Sequence, residues 1–540
     1  MKSNNLLLKR EPYIRRHGET SFCLFLIGVA FVLRIWHLGT IPAGFFCDEA
    51  SIGYNAYTLT TTGKDEHGKS FPIFFESFGD YRPPLPFYAA VPFVAVFGLT
   101  EWSVRLASAV IGTLTVFVMY LFLKNLLWAT DQKQYAGLTG LIGAGMLAIS
   151  PWHIHFSRFG TENIYLPLFI LCAAWCFVRS IQKPWYFIPG AFFSIGACYT
   201  YLPGVILGPE FFLCSVCILL PYMKKLWRHA LIGICIAGIL FLPVIRAWHD
   251  GTLRTRWNNV GIEEQQTLSS SIHEFVTRYT AHFSPTFLIT KGDVGYPGHF
   301  ITRFGTHNQG QIYALDAILA FLGVIWCLVT CWKHPVIFFP LLFLIFYPIG
   351  GSVTGTDGGG PLAFRSILGS IAFPSLSAIG FVHMLAFVKE KRIQKLLVIL
   401  VIIGYDICLS RYLFLYYITN PQTSQNFWGW QYGPRDIMQY FLTNKETYDE
   451  MYFPGVFNGG EIFIKFYDPT NLCEDKCRIG TPEEQFDPTK RQLFTVQIKD
   501  DKETRDILDR MSIQKTLFYP DGSPAYSIGI ITSLYKPAIE

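Results

Sequence analysis

The sequence predicts a polytopic α-helical membrane protein of about 11 transmembrane helices, ending in a small C-terminal α/β extracytoplasmic domain. Three observations lead there. Hydrophobic residues make up 51% of the 540 and charged residues only 15%, against about 25% charged in an average soluble chain. Apolar runs of roughly 20 residues, the length that crosses a ~30 Å hydrocarbon core, recur between residues 21 and 418, and mean hydropathy is +0.31. Beyond residue 418 the pattern changes to charges, a turn at Asp521-Gly522 and alternating runs such as Leu493-Phe494-Thr495-Val496-Gln497-Ile498, which read as strands.

Taken in order, residues 1–20 carry Lys2, Lys9, Arg10, Arg15 and Arg16, a basic flank that favours the cytoplasm. A first span over Ser21–Leu38 delivers the chain to an outer loop, 39–102. Within that loop Leu85–Leu99 is apolar, but it is short and holds Pro86 and Pro92. It reads as an interfacial or re-entrant helix. Spans at 103–127 and 135–149 lead to a second outer loop, 150–163. Four more, at 164–181, 185–202, 204–222 and 230–246, lead to a third, 247–311. Spans at 312–332 and 335–350 precede a fourth loop, 351–363, and spans at 364–388 and 396–417 finish the set. The inner turns then hold Lys124, Lys133, Arg179, Lys183, Lys224, Lys225, Arg228, Lys333 and Lys389 to Lys395. Counting Leu85–Leu99 as a span would put most of these cations outside, so it is left out. Residues 21–418 are expected to form the membrane unit and 419–540 the outer domain.

The net charge of +5 is dispersed over helix ends, which excludes a nucleic-acid face. Most of the 13 cysteines lie in apolar runs and read as small buried hydrophobes. Cys473 and Cys477, in the polar tail, are as compatible with a disulfide as with a reduced pair. No Asn-x-Ser/Thr site occurs, which favours a bacterial plasma (inner) membrane over a secretory pathway.

The candidate chemistry centres on Asp48 and Glu49, adjacent acids at the exit of the first span, where a carboxylate has to be solvated, paired or put to use. Tyr81-Arg82-Pro83-Pro84 supplies an outer cation on a stiffened backbone. His153 to Glu162 adds His155, with Arg158 and Glu162 spaced to pair along a helix. Gly358-Gly359-Gly360 leads into Arg365. Acids and several cations on one side suit a reaction at a lipid phosphate. Cations stabilise the leaving group's charge, and one carboxylate takes the proton of the attacking hydroxyl.

These stretches resemble the GT-C superfamily of membrane glycosyltransferases, in the branch of the dolichyl-phosphate-mannose protein mannosyltransferases and the lipid A aminoarabinose transferase (ArnT-like). The matching residues are Asp48-Glu49, Tyr81 to Tyr88, Phe97-Gly98-Leu99-Thr100-Glu101-Trp102-Ser103-Val104-Arg105-Leu106, Ser150 to Glu162, Gly196 to Pro203, and Arg365 with Pro374. The resemblance implies a polyprenyl-phosphate sugar donor, inverting transfer at the outer membrane face, Asp48 as base and Glu49 in support. Arg82 and Arg365 would bind phosphate, with Tyr54, Tyr81, His155, Arg158, Glu162 and Tyr201 as further substrate contacts. The acceptor is a lipid, a glycan or a protein, with its choice expected in the 247–311 loop and the tail. The sequence departs from the family in having Arg82 where lysine is common and Glu162 where aspartate is common.

A flippase of lipid-linked sugars is the alternative reading, although such transporters favour repeated halves with broken midplane helices. A surface sensor has nothing specific in its favour. Divalent-metal dependence stays open, with Asp48, Glu49, His153, His155 and Glu162 as the available ligands.

Overall fold

The protein is described here by a computed structural model covering residues 6–255, 268–293, 309–354, 360–419, 421 and 431–532, with side chains from residue 18 onward. The chain opens with helix α1 (Leu6–Ile35), followed by α2 (Cys47–Thr62), a hairpin of β1 (Phe75–Ser77) and β2 (Asp80–Arg82), and α3 (Leu85–Phe97). Helix α4 (Glu101–Trp128) is the central pillar. Its 28 residues contain no proline, and the Thr100 hydroxyl caps it by accepting from the Ser103 amide at 3.1 Å. Such a side-chain acceptor satisfies one of the amides that a helix start leaves unpaired.

Helices α5 (Ala136–Ile149) and α6 (Pro151–Ser157) follow. Pro151 cannot continue the preceding helix, and the two rods meet at 62°. Then come α7 (Tyr165–Ser180), α8 (Phe187–Gly196), α9 (Gly204–Leu219) and α10 (Met223–His249). The outer stretch holds α11 (Leu268–Ala281). The bundle is completed by α12 (Ala314–Thr330), α13 (Phe338–Phe346), the single turn α14 (Ile349–Ser352), α15 (Gly369–Phe387) and α16 (Lys391–Phe414).

Among the described residues, six helices are long and apolar enough to cross a membrane, or seven with the bent pair, fewer than the eleven read from sequence. The difference has two geometric sources. Some runs fold as shorter helices, such as Tyr165–Ser180 and Ala314–Thr330. Gly204–His249 also counts once, although it doubles back at Leu220–Tyr222. Gly204 and Gly208 abut Ala197 and Ser194, whereas Gly233 abuts Phe187 and the Tyr199 hydroxyl donates to the Leu240 carbonyl. Helices α9 and α10 therefore run antiparallel.

The ends of the bundle differ. At one end the basic turns gather: Lys124 pairs with Glu19 at 2.9 Å, Arg179 donates to Asn125 at 3.0 Å, and His334 meets Asp131 at 3.1 Å. At the other end the Arg105 guanidinium donates to the Leu38 carbonyl, and Gly39 faces Trp102. The segment between α1 and α4 thus leaves and returns at the same end, and α3 does not cross.

Residues 431–532 form a five-stranded mixed sheet in the order β4-β3-β5-β7-β6. Its strands are β3 (Glu450–Phe453), β4 (Cys477–Ile479), β5 (Gln492–Gln497), β6 (Met511–Phe518) and β7 (Pro524–Ile531), with helices α17 (Pro434–Asn444) and α18 (Gly460–Tyr467) beside them. Cys473 and Cys477 are disulfide-bonded. This unit shares its core with the helices. Phe466 meets Phe45 in a tilted ring contact at 4.8 Å and presses against Gly53 of α2, and Arg435 pairs with Glu101 at the start of α4.

Candidate active site

Helix α2 begins at Cys47, so Asp48 and Glu49 both lie in its first turn, where the helix dipole favours carboxylates. The two acids have separate environments. The Arg82 guanidinium donates through Nη1 to Asp48 Oδ2 at 2.9 Å and reaches Glu162 at 3.3 Å. Burial works against its charge, but Asp48 and Glu162, with Cys47 and Asp80 further off, outweigh it and hold the guanidinium protonated well above the ordinary arginine range. The three side chains are only 11–19% exposed. One arginine thus joins the two acidic loops.

Glu49, expected to assist Asp48, is sealed in the core instead. Arg105 donates to both its oxygens, at 2.8 and 3.0 Å, and the Phe46 and Gly160 amides donate at 3.0 and 2.8 Å. Arg105 also donates to the carbonyls of Leu38, Pro42 and Gly44. Both side chains have zero exposure, so Glu49 anchors the loop that presents Asp48.

A cavity of about 210 Å³ opens beside the trio, lined by Glu162, Tyr201, Leu202, Pro203, Val205, Ile206, Trp248, Leu253, Gly350, Val353, Thr354 and Arg365. Glu162, Tyr201 and Arg365, expected from sequence, meet there. Most of the lining is apolar, with Glu162 and Arg365 as its charged members, a composition that suits an amphiphile. The cavity also uses Trp248 and Leu253, which no motif in the sequence singled out.

Four expected contacts lie elsewhere. Neighbouring strand residues point to opposite faces, so Tyr81 turns away from Arg82, donating to Glu76 at 3.3 Å with Lys69 over its ring at 5.3 Å. Tyr54 is six residues past Asp48, about 240° around the helix at 3.6 residues per turn. Its ring faces Lys465 at 5.9 Å and Tyr57 at 6.5 Å. His155 is wholly buried beside Phe156, Phe159 and Tyr416. Arg158 does not share a helix with Glu162, because α6 stops at Ser157. It donates to the Leu33, Arg34 and Ile41 carbonyls, meeting the acceptors that the end of α1 leaves unpaired.

The metal-ligand set is likewise dispersed. Glu49 is held by Arg105, and His153 Nδ1 lies 2.8 Å from the Arg34 guanidinium. The place between Asp48 and Glu162 where a bridging cation would sit is occupied by Arg82. Among the described residues no group of three His, Cys, Asp or Glu side chains could hold a metal ion. Gly358 and Gly359 lie outside the described residues.

This architecture is the fold of the GT-C membrane glycosyltransferases. The solved apo structure of ArnT from Cupriavidus metallidurans aligns with a TM-score of 0.52 at 13% identity, over 96% of this chain and 99% of that one. The apo oligosaccharyltransferase of Archaeoglobus fulgidus gives 0.52 at 14% identity, over 87% and 65%. AglB of that organism, solved with an inhibitory peptide and a dolichol-phosphate, gives 0.50 at 14%, over 84% and 60%. Within the sequence, residues 81–248 match the family model of the dolichyl-phosphate-mannose-protein mannosyltransferases. The chain is 36% identical over 88 residues to the polyprenol-phosphate-mannose–protein mannosyltransferase of Corynebacterium glutamicum, and 27% identical over 116 residues to the putative mannosyltransferase YkcB of Bacillus subtilis. These matches span 16% and 15% of the relatives' lengths and 16% and 21% of this chain.

Proposed function

We propose that this chain is an inverting glycosyltransferase. It takes a sugar from a polyprenyl-phosphate donor and passes it to a hydroxyl acceptor on a lipid, glycan or protein at the outer face of the plasma membrane. The observation that carries this reading is the Asp48–Arg82–Glu162 trio, whose Glu162 lines a largely apolar cavity that also holds a second arginine, Arg365. The apolar lining suits a prenyl chain, and Arg365 faces the phosphate. Gathering of the basic turns at the far end of the bundle supports the outward orientation. The names of the matched relatives support a mannosyl-type donor, and the dolichol-phosphate in the AglB structure supports a prenyl carrier.

In the proposed step the acceptor oxygen attacks the anomeric carbon while the bond from that carbon to the phosphate oxygen breaks. The acceptor proton passes to Asp48, and the polyprenyl phosphate leaves with its electron pair. Its charge is met by arginine, so the leaving group needs no acid. Arg82, 2.9 Å from Asp48, holds the carboxylate oriented until the proton arrives.

The test is release of free lipid phosphate when purified protein in detergent is given a panel of undecaprenyl-phosphate sugars. One donor should be consumed, and Asp48→Asn should slow that turnover by about a hundredfold or more, the usual weight of a general base. No release from any donor would favour the flippase reading.

A further inference from the structure

Three side chains of the 268–293 segment hold the cavity wall that carries Arg365. Arg278 of α11 donates to the Thr354 carbonyl at 2.7 Å. His282, fully buried, accepts from the Leu362 amide through Nε2 at 3.4 Å, and its Nδ1 lies 2.7 Å from the Arg278 carbonyl. A carbonyl only accepts, so Nδ1 carries the proton and Nε2 is left bare to receive the Leu362 N–H. Burial draws the imidazole down to about 4, which keeps it in that neutral form. Asp293, 1% exposed, accepts from the Ala363 amide through Oδ2 at 3.0 Å. Thr354 and Arg365 both line the cavity, and Gly350 sits flush against the Arg365 carbonyl.

We infer that Arg278, His282 and Asp293 are positioning residues that set the place of Arg365 at the cavity, so that this part of the 247–311 stretch serves the donor phosphate rather than selecting the acceptor. The inference rests on the reading of Arg365 as a phosphate-binding cation. The geometry behind it is a register. Arg278 and Asp293 are 15 residues apart and hold backbone at Thr354 and at Ala363, the latter two residues before Arg365. His282 sits between them, locked by Tyr347, whose hydroxyl donates to the His282 carbonyl at 2.8 Å. Arg365 therefore inherits its position from a neighbouring segment rather than from its own helix. A shift of the backbone at Leu362-Ala363 moves the guanidinium away from the charge it would meet.

The experiment measures binding of undecaprenyl phosphate to the full chain in detergent micelles. His282→Ala, Asp293→Ala and Arg278→Ala should each weaken binding by roughly tenfold, about one net hydrogen bond. In an Arg365→Ala background, Asp293→Ala should add nothing, because its effect passes through Arg365. Unchanged binding by the alanine variants, with Arg365→Ala weakened, would overturn the inference and leave the proposed function standing. Unchanged binding by Arg365→Ala would overturn both. Arg278 is partly exposed, so Arg278→Ala decides the matter even where a buried alanine variant fails to fold.

Discussion

Arg82 and Arg105 show how position decides what an arginine does. Both pair with a member of the same Asp-Glu dipeptide, yet one lies at a cavity and the other in the core. Truncating one member of a fully buried ion pair leaves an uncompensated charge, which costs about 3–5 kcal/mol. Arg105→Ala should therefore lower the thermal unfolding temperature in detergent markedly. Arg82→Lys should leave that temperature near the parent value while slowing turnover. A fall for Arg82→Lys as large as for Arg105→Ala would assign both arginines to the scaffold. Reading the dipeptide as one functional pair was natural from sequence, because nothing local separates the two acids. The signal that would have separated them is Arg105 in the stretch Trp102 to Leu106. Its partner lies 56 residues away, so only the folded chain reveals it.

At the scale of elements, helices were the legible part. The expected 103–127 span is α4, Glu101–Trp128, because a long apolar run without proline has few alternatives in a membrane. The breaks were harder to place. Pro151 bends one run, Leu220–Tyr222 reverses another, and strand alternation sends Tyr81 away from Arg82. Helix contact shows a further rule. A Cβ at Gly323 of α12 would collide with the Leu376 carbonyl of α15, and one at Gly380 with the Leu319 carbonyl. The two helices thus run antiparallel with backbones touching at two reciprocal glycines, a use of small residues that lipid favours. Gly323→Leu and Gly380→Leu should each depress thermal stability, with the double variant less than additive. Gly238→Leu, where no atom lies within 4 Å, serves as the neutral control.

For the molecule as a whole, the tail was legible as mixed α/β from its turns and alternation, but its continuity with the helical core was not. That continuity depends on Phe466, Arg435 and Gln431, single residues without any periodic signature. The tail carries its own acid-sensitive group. Lys490 donates to Glu450 at 2.7 Å, and Gln492 and Tyr452 donate at 2.8 Å, together drawing its carboxyl down to about 2 against the opposing effect of burial. A folded value below the unfolded one gives stability that is complete above about pH 4.5 and is lost as pH falls through about 2. Melting of the sheet, followed by circular dichroism, should decline across that window, and Glu450→Gln should flatten the decline. An unchanged slope in that variant would move the sensitivity to another carboxylate.

The amide of Cys47, the first residue of α2, donates to the Gln431 side chain at 2.7 Å. Ribosomes deliver those two groups 384 residues apart. During synthesis the turn bearing Asp48 therefore waits for that partner until Gln431 has emerged. A nascent chain halted before that point has its long apolar helices made and the turn bearing Asp48 still without its distant tether.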